Sequence, residues 1–275
     1  MLELYQFEMS HYCEKVRLIL DYKELPYRKV EVNLGLGQLE LYRMSGQRLV
    51  PVLKDGNEIV ADSTAIAQYL DRQYPDKPIL PAEPHQRSLC LLMEAWADEF
   101  VGIKSRAALL QALSQDRSLR DAALAAAIPD VFKGFVDSVP NFFKDWVAPV
   151  PNLFNDLGTA FLQGFPPGTE RTNDKTLRSE LTILNTLVQE TPYLLGDSPT
   201  LVDFAVAGLT MYVKFPNSPH LDIPDSLKGK GVTGLADNPD YDTFFNWRDR
   251  LYEQYRRPLA VDRPEKTAPE PIEIQ

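Results

Sequence analysis

The sequence contains little of what metal centres and disulfide scaffolds are built from. Of 275 residues, only two are cysteines and three are histidines. Cys13 and Cys90 are too far apart to indicate a small disulfide-bonded fold, and their scarcity is typical of a reducing compartment. His11, His85 and His220 do not have the spacing of metal ligands. The sequence therefore predicts neither a disulfide framework nor a metal site.

Positive charge and long hydrophobic runs are also scarce. The chain has 29 Lys and Arg residues against 39 Asp and Glu, a net charge of -10. Binding to nucleic acid requires a concentrated basic surface, which this balance excludes. No segment approaches the roughly 18 consecutive apolar residues that span a membrane. The acidic first residues do not resemble a signal peptide. We expect a cytoplasmic protein that binds neither nucleic acid nor membrane.

The first 78 residues predict one sheet with helices packed on it. Apolar and polar residues alternate in the candidate strands, and apolar residues recur at helical spacing between them. The last two strands are joined by Asp55-Gly56-Asn57, which is typical of a hairpin. The order βαβ, a loop-rich segment and ββα predicts a compact α/β domain. The predicted strands are 2–7, 25–32, 50–54 and 58–61, and the predicted helices are 11–23 and 62–75.

The rest of the chain predicts an all-α bundle. Strand alternation is missing beyond the proline-rich linker at 76–84, and apolar stripes at helical spacing replace it. The predicted helices are 85–113, 176–190, 200–214 and 240–256. We therefore divide the chain into a domain at 1–80 and an all-helical domain at 85–257.

Two segments do not fit a minimal bundle: a glycine-rich loop at 228–239 and an aromatic-rich insert. Residues 115–170 form an aromatic-rich insert that prolines interrupt, and four interpretations of it stay open. It could pack on its own domain, cover a hydrophobic site, build a subunit contact or lie on a membrane. The last is the weakest, because four aspartates face two lysines between residues 130 and 156, and anionic lipid attracts basic segments. Residues 258–275 are rich in Pro and Glu and predict a flexible tail.

Four features in order carry a family resemblance. Ser10 and Cys13 form a Ser-x-x-Cys motif at the start of the first predicted helix. Val50-Pro51 opens a strand, Asp62-Ser63 starts a helix, and an all-helical domain follows. Together these features resemble the glutathione S-transferase superfamily, in its serine type. The resemblance implies a thioredoxin-like N-terminal domain.

A further motif lies in the helical domain. Residues 194–208 resemble the signature that the family carries there, so the resemblance covers about 1–80 and 176–256. Within this segment, Thr200 and Asp203 have the spacing of a capping box, in which each side chain bonds a backbone N–H of the other residue.

The resemblance also implies a reaction. The protein would add the thiolate of glutathione, its co-substrate, to hydrophobic electrophiles without a metal, as in detoxification. Family members generally form homodimers. A glutathione-dependent thiol oxidoreductase or isomerase that uses Cys13, and a non-catalytic binding protein with the same fold, are the alternatives.

The glutathione contacts follow from the resemblance. Val50-Pro51 would be a cis peptide whose Val50 backbone pairs with the glutathione cysteine. The γ-glutamyl carboxylate would lie on Ser63 at a helix N-terminus, with Asp62 facing the amine. Arg48 would hold the glycine carboxylate, or it is simply a solvated surface charge. The implied contacts are Arg48, Leu49, Val50, Pro51, Asp62 and Ser63.

Ser10 and Cys13 are the candidate catalytic residues. The Ser10 hydroxyl would donate a hydrogen bond to the glutathione sulfur and favour its thiolate; alternatively, Ser10 only caps the helix. Cys13 lies on the same helix face and is either a reactive thiol or a small packing residue. The electrophile pocket would lie between the domains. Its candidate walls, each of which could equally be core, are Tyr12, Trp96, Phe100 and Tyr212.

Overall fold

The computed structural model of the protein describes residues 1–32, 36–127 and 174–258. Four strands open the chain: β1 (Leu2–Gln6), β2 (Tyr27–Glu31), β3 (Val52–Asp55) and β4 (Glu58–Ala61). They form one mixed sheet in the order β2-β1-β3-β4. β1 is parallel to β2 and antiparallel to β3, and β3 and β4 form the predicted hairpin. Because a parallel pair needs a crossover, a helix connects β1 to β2.

Helices make up most of the remaining described structure. A π-helical segment, Ala97–Gly102, joins α4 to α5, so these two helices form one long rod. No helix in the described ranges is long and apolar enough to cross a membrane. The helices are α1 (His11–Tyr22), α2 (Leu36–Ser45), α3 (Ser63–Gln73), α4 (Pro84–Trp96), α5 (Ile103–Gln115), α6 (Arg117–Ala127), α7 (Asp174–Glu190), α8 (Leu201–Leu209) and α9 (Asp242–Tyr255).

The α/β domain followed by an all-helical one confirms the predicted fold class, and the exact division at 80 and 85 stays a prediction. Two elements differ from expectation. The segment predicted as loop-rich contains α2, whose helical pattern is obscured by the neighbouring glycines 35 and 37; Leu41 nevertheless anchors it in the core. The first part of the insert is α6, held by Leu119 and Ala123 one turn apart.

The other predictions about the insert concern residues outside the described ranges. Its aromatic residues lie between 128 and 173, and the tail from 259 onward is also outside them. The four interpretations of the insert therefore stay predictions.

The capping box predicted at Thr200 and Asp203 is confirmed. Asp203 Oδ2 accepts the Thr200 N–H at 2.7 Å and the Thr200 hydroxyl at 2.8 Å, and Oδ1 accepts the Leu194 N–H at 2.7 Å. Burial raises the pKa of Asp203 to about 6 even though these bonds favour the charged form. The Leu201 N–H donates to the Ile79 carbonyl at 2.7 Å, so this cap also connects α8 to the linker.

The helices α1 and α8 pack so closely that their backbones touch. Gly208 of α8 faces Lys15 of α1, and a Cβ atom at Gly208 would lie 2.7 Å from the Lys15 nitrogen and 2.9 Å from its Cα. These atoms belong to the backbone, so no side-chain rotation can make room. The contact fixes the position of α1, whose N-terminus carries the Ser-x-x-Cys motif.

We expect Gly208→Ala to destabilise the protein. Alanine favours the helix by about 1 kcal/mol, but forcing a methyl group into a filled contact costs about 1–3 kcal/mol or more. Because the clash is with backbone atoms, its cost should lie at the upper end of this range, about 3 kcal/mol. Urea unfolding should then show a net loss of about 2 kcal/mol. Gly102→Ala is the comparison variant, because its Cβ would meet side-chain atoms at longer distances, the Tyr12 hydroxyl at 3.0 Å and a Leu209 methyl at 3.1 Å, so its loss should be smaller. Equal stability of Gly208→Ala and wild type would contradict the backbone contact.

Candidate active site

Ser10 caps the N-terminus of α1. Its hydroxyl oxygen accepts the Cys13 N–H at 3.3 Å, and its carbonyl accepts the Glu14 N–H at 2.9 Å. The capping interpretation is therefore confirmed. It does not exclude a chemical role, because a capping serine uses its oxygen as an acceptor and keeps its proton to donate elsewhere. The side chain is half-buried, beside the unsatisfied N–H groups of the first turn.

Cys13 is fully buried one turn further along α1. Burial raises the pKa of its thiol to about 11, although Arg17 and a hydrogen bond with the Ser10 side chain act in the opposite direction. Because the thiolate is the reactive form, a thiol with this pKa is inert at neutral pH. These features favour packing over reactivity for Cys13.

The Val50–Pro51 peptide is cis and lies directly before β3. Pro51 is buried, Val50 is half-buried and Leu49 is 52% exposed, so the chain turns inward here. Arg48 is exposed, and its guanidinium lies 5.5 Å from the centre of the Tyr42 ring. The placement of Arg48 on the surface of this loop is compatible with both interpretations of it.

Asp62 and Ser63 form the N-terminus of α3. Asp62 caps the helix, since its Oδ1 accepts the N–H groups of Thr64 at 2.9 Å and Ala65 at 3.0 Å. Its φ of 80° is unusual for a residue other than glycine, and such strained positions cluster at ligand-binding sites. Ser63 is only 3% exposed, and its N–H is not among the groups that Asp62 caps.

A buried ionic network lies beneath Ser63. Lys15 of α1 extends its ammonium into it and contacts Ser63, Thr64 and two acidic residues, Glu94 and Asp98. Thr64 donates to Glu94 Oε1 at 2.6 Å. Sequence reasoning missed this network, because a lysine in an amphipathic helix is normally solvated. The only signal was its place in the first turns after Ser10.

Two tyrosine rings contact His11, the residue after Ser10. The His11 ring lies 4.3 Å from those of both Tyr12 and Tyr212, measured between centroids. Its Nε2 donates to the Gly102 carbonyl at 3.2 Å. Burial, assisted by Arg106, lowers the pKa of His11 to about 3, so the ring is neutral.

The two tyrosines are also fixed by carbonyl groups. Tyr12 donates to the Asp98 carbonyl at 3.1 Å and Tyr212 to the Met9 carbonyl at 2.6 Å. Burial raises the pKa of both phenols, so neither is a phenolate at neutral pH.

The structure brings two of the four candidate pocket walls into contact with one residue. Tyr12 and Tyr212 meet at His11, whereas Trp96 packs half-buried on the core. Phe100 is 51% exposed and carries Lys104 Nζ over its ring at 5.0 Å. A role of all four in one electrophile pocket stays a prediction. Across residues 1–32, 36–127 and 174–258, no group of three or more His, Cys, Asp and Glu residues could hold a metal.

Comparison with known proteins identifies a family for the N-terminal part of the chain. Residues 4–78 match the family described as glutathione S-transferase, N-terminal domain. A zeta-class glutathione S-transferase from Euphorbia esula is 38% identical over 91 residues, which cover 32% of this chain and 40% of the relative. Residues 4–78 therefore belong to the glutathione S-transferase N-terminal domain family. A maleylpyruvate isomerase from Ralstonia sp is 33% identical over 89 residues, which cover 31% of this chain and 42% of that enzyme.

A solved structure is similar in fold beyond the N-terminal domain. A glutathione S-transferase from Rhodospirillum rubrum F11 superposes with a TM-score of 0.60 at 18% identity, covering 98% of this chain and 96% of that one. At this identity the likeness concerns the fold alone. The chain spans about 40% of the length of the curated relatives it matches, within its N-terminal part.

Proposed function

We propose that this protein is a glutathione transferase that binds glutathione between the Val50-Pro51 turn and the N-terminus of α3, and activates its thiol from Ser10. One observation carries the proposal. Ser10 and Ser63 stand at two helix N-termini, and each already accepts a hydrogen bond, from Cys13 N–H and from Lys15. Each hydroxyl therefore keeps its proton for an anion: a thiolate at Ser10 and a carboxylate at Ser63.

The reaction needs little more than this arrangement. The glutathione thiol loses its proton to solvent, Ser10 donates a hydrogen bond to the sulfur, and the thiolate attacks the electrophilic carbon. A leaving group departs from that carbon as an anion, or, where the carbon belongs to a double bond, the π electron pair moves to the neighbouring atom, which takes a proton from solvent. Hydrogen bonding to a charged form lowers the pKa of the group that accepts it, and the α1 N-terminus acts in the same direction. Hydrophobic electrophiles would be received between the domains, against the rings of Tyr12 and Tyr212.

A second candidate is a glutathione-dependent isomerase. The similarity to the Ralstonia maleylpyruvate isomerase favours it. The thiolate would add to a carbon–carbon double bond, the resulting single bond would rotate, and the thiolate would leave, returning glutathione unchanged. This route uses Ser10 as well and does not require Cys13, whose burial argues against a thiol oxidoreductase.

We also propose that the protein is a cytoplasmic homodimer, as the family resemblance implies. Large apolar side chains on the surface of both parts of the chain support a subunit contact. They include Leu49 at 52%, Leu92 at 69% and Phe100 at 51% exposure.

Glutathione binding tests the proposal through Ser63. A hydrogen bond to a charged group contributes about 1.5–3 kcal/mol, so we expect Ser63→Ala to raise the glutathione Kd about 10- to 100-fold. Isothermal calorimetry measures this directly. Ser88→Ala is the matched control, because the exposed Ser88 hydroxyl only donates to the Pro84 carbonyl of its own helix at 2.8 Å. Absence of glutathione binding by the wild type would mean that these motifs serve the fold alone, and a non-catalytic role would then be favoured.

A further inference from the structure

Lys15 is a buried lysine whose ammonium is surrounded by oxygen atoms from two other helices. Its side chain is 0% exposed. Nζ lies 3.3 Å from Ser63 Oγ and 3.1 Å from Thr64 Oγ1, both in the first turn of α3. It lies 2.9 Å from Oδ1 of Asp98, in the π-helical segment, and also bonds Oε1 of Glu94, near the C-terminal end of α4. A single cation thus connects α1, α3 and the helical domain.

The chemistry of an ammonium fixes the direction of these bonds. It has three protons and no lone pair, so every oxygen around it must accept. Ser63 Oγ is therefore an acceptor towards Lys15 and cannot point its own proton back along that line. The Ser63 proton remains available on the side away from Lys15. Thr64 differs, since its proton goes to Glu94 at 2.6 Å.

The placement of Lys15 also neutralises negative charge beneath the N-terminus of α3. Glu94 is 2% exposed and Asp98 is 15% exposed, and both lie close beneath the N-terminus of α3. Without the cation, two carboxylates would face a site that must hold a third. Lys15 offsets one of these charges, and like charges a few ångströms apart in a buried region repel strongly.

We propose that Lys15 is a positioning residue for the γ-glutamyl carboxylate of glutathione: it keeps the Ser63 hydroxyl oriented as a donor and neutralises the acidic pair beneath the site. This role rests on the proposed function, because it presupposes that glutathione binds at Ser63. Lys15 itself does not touch the ligand and acts through Ser63.

A purely structural lysine would have a different signature. Its loss would displace a helix and so weaken the binding of every ligand of the site to the same degree. The positioning role instead concerns one carboxylate, so its loss removes discrimination between ligands with and without that group. The informative quantity is the ratio of two dissociation constants rather than either one.

The experiment compares glutathione with 4-aminobutyryl-cysteinylglycine, in which hydrogen replaces the γ-glutamyl carboxylate. The wild type should bind glutathione at least about 10-fold more tightly than the analogue, the equivalent of one hydrogen bond to a charged group. In Lys15→Met the ratio should fall to about 1–3. Competition calorimetry gives both constants.

Lys23→Met is the matched control. Lys23, the residue that directly follows α1, is also buried, but it holds the opposite end of α3 through Asp71 at 3.4 Å and the carbonyls of Tyr74 at 2.8 Å and Lys77 at 2.7 Å. Its loss should lower stability and leave the ratio unchanged. If Lys15→Met does not fold, Lys15→Met/Glu94→Gln removes both charges of the pair, which proteins often tolerate. The net charge beneath the site is then unchanged but Ser63 still loses the Lys15 bond, so the ratio should still fall below the wild-type value.

The outcomes separate the two proposals. A wild type that does not bind glutathione overturns the proposed function, and the role of Lys15 with it. A wild type that binds and discriminates, together with a Lys15 variant that keeps the full ratio, overturns only the positioning role.

Discussion

Ser10→Ala is expected to slow glutathione conjugation about 10- to 100-fold near pH ~6.5, and by far less in alkaline solution. The expected loss follows from one hydrogen bond to a thiolate, which contributes about 1.5–3 kcal/mol, or about 1–2 units of thiol pKa. The Cys13 backbone N–H donates to the Ser10 oxygen at 3.3 Å, so this bond uses the oxygen as an acceptor. The Ser10 proton is therefore left for the glutathione sulfur.

The pH profile distinguishes this role from a loss of structure. The hydrogen bond lowers the pKa of bound glutathione in the wild type, so its rate reaches the plateau at a lower pH. Without the bond, the rising limb of the profile moves up by about 1–2 pH units. The two rates converge once both thiols are ionised. A variant impaired only by a lost helix cap, worth about 1 kcal/mol of stability, would instead lose activity equally at every pH.

Cys13→Ala and glutathione affinity serve as the controls for Ser10. Cys13→Ala should retain most of the conjugation rate, because the buried thiol is not ionised near neutral pH. Ser10→Ala should still bind glutathione, since Ser63 and the Val50-Pro51 turn are unchanged. An unshifted profile in Ser10→Ala, or loss of activity in Cys13→Ala, would contradict the assignment of Ser10 and return attention to Cys13.

The sequence predicts this site unevenly, for physical reasons. Capping residues and prolines act locally, so Ser10, Asp62 and the Thr200–Asp203 pair can be located from short patterns alone. The α2 helix escaped prediction because two glycines obscure its signal, and tertiary contacts such as that of Leu41 compensate for them.

The network around Lys15 could not be predicted at all. Its partners lie 48 to 83 positions away along the chain, and nothing local indicates that this lysine turns inward. Its burial depends on Gly208, which lets α8 approach the α1 backbone. Long-range pairing of this kind is a property of the packed helices, so only the structure reveals which polar residues of α1 are interior.

Arg256→Met should destabilise the protein strongly, by about 3–5 kcal/mol, the usual cost of removing one partner from a buried ion pair. Arg256 follows α9 and is fully buried. Its Nε donates to Glu14 Oε1 at 2.9 Å and its Nη1 to Asp21 Oδ2 at 2.5 Å, so it holds two carboxylates of α1. Urea unfolding, with the slope compared between variants, measures the loss.

Arg257→Met is the matched control, since the neighbouring arginine pairs with Glu24 at 3.3 Å and both side chains are 57% exposed. An exposed pair contributes about 0–1 kcal/mol, so this variant should unfold nearly as the wild type does. Equal losses in the two variants would contradict a buried ionic contact at Arg256.

The pH dependence of stability distinguishes a lost ion pair at Arg256 from a simple loss of packing. Burial raises the pKa of Asp21, and Arg256 opposes that rise, so the variant carboxyl becomes neutral at a higher pH. Burial would likewise raise the pKa of Glu14, but Arg256 and Arg17 hold this pKa below its usual value. The ion pairs of Glu14 therefore stabilise the wild type only while Glu14 is ionised. As the pH falls, the Asp21 and Glu14 carboxylates take up protons. In the variant this removes buried negative charges that have lost their partner Arg256, and in the wild type it breaks the ion pairs with Arg256. The stability gap between Arg256→Met and wild type should therefore narrow in acid, whereas a gap caused by missing van der Waals contacts would not change with pH.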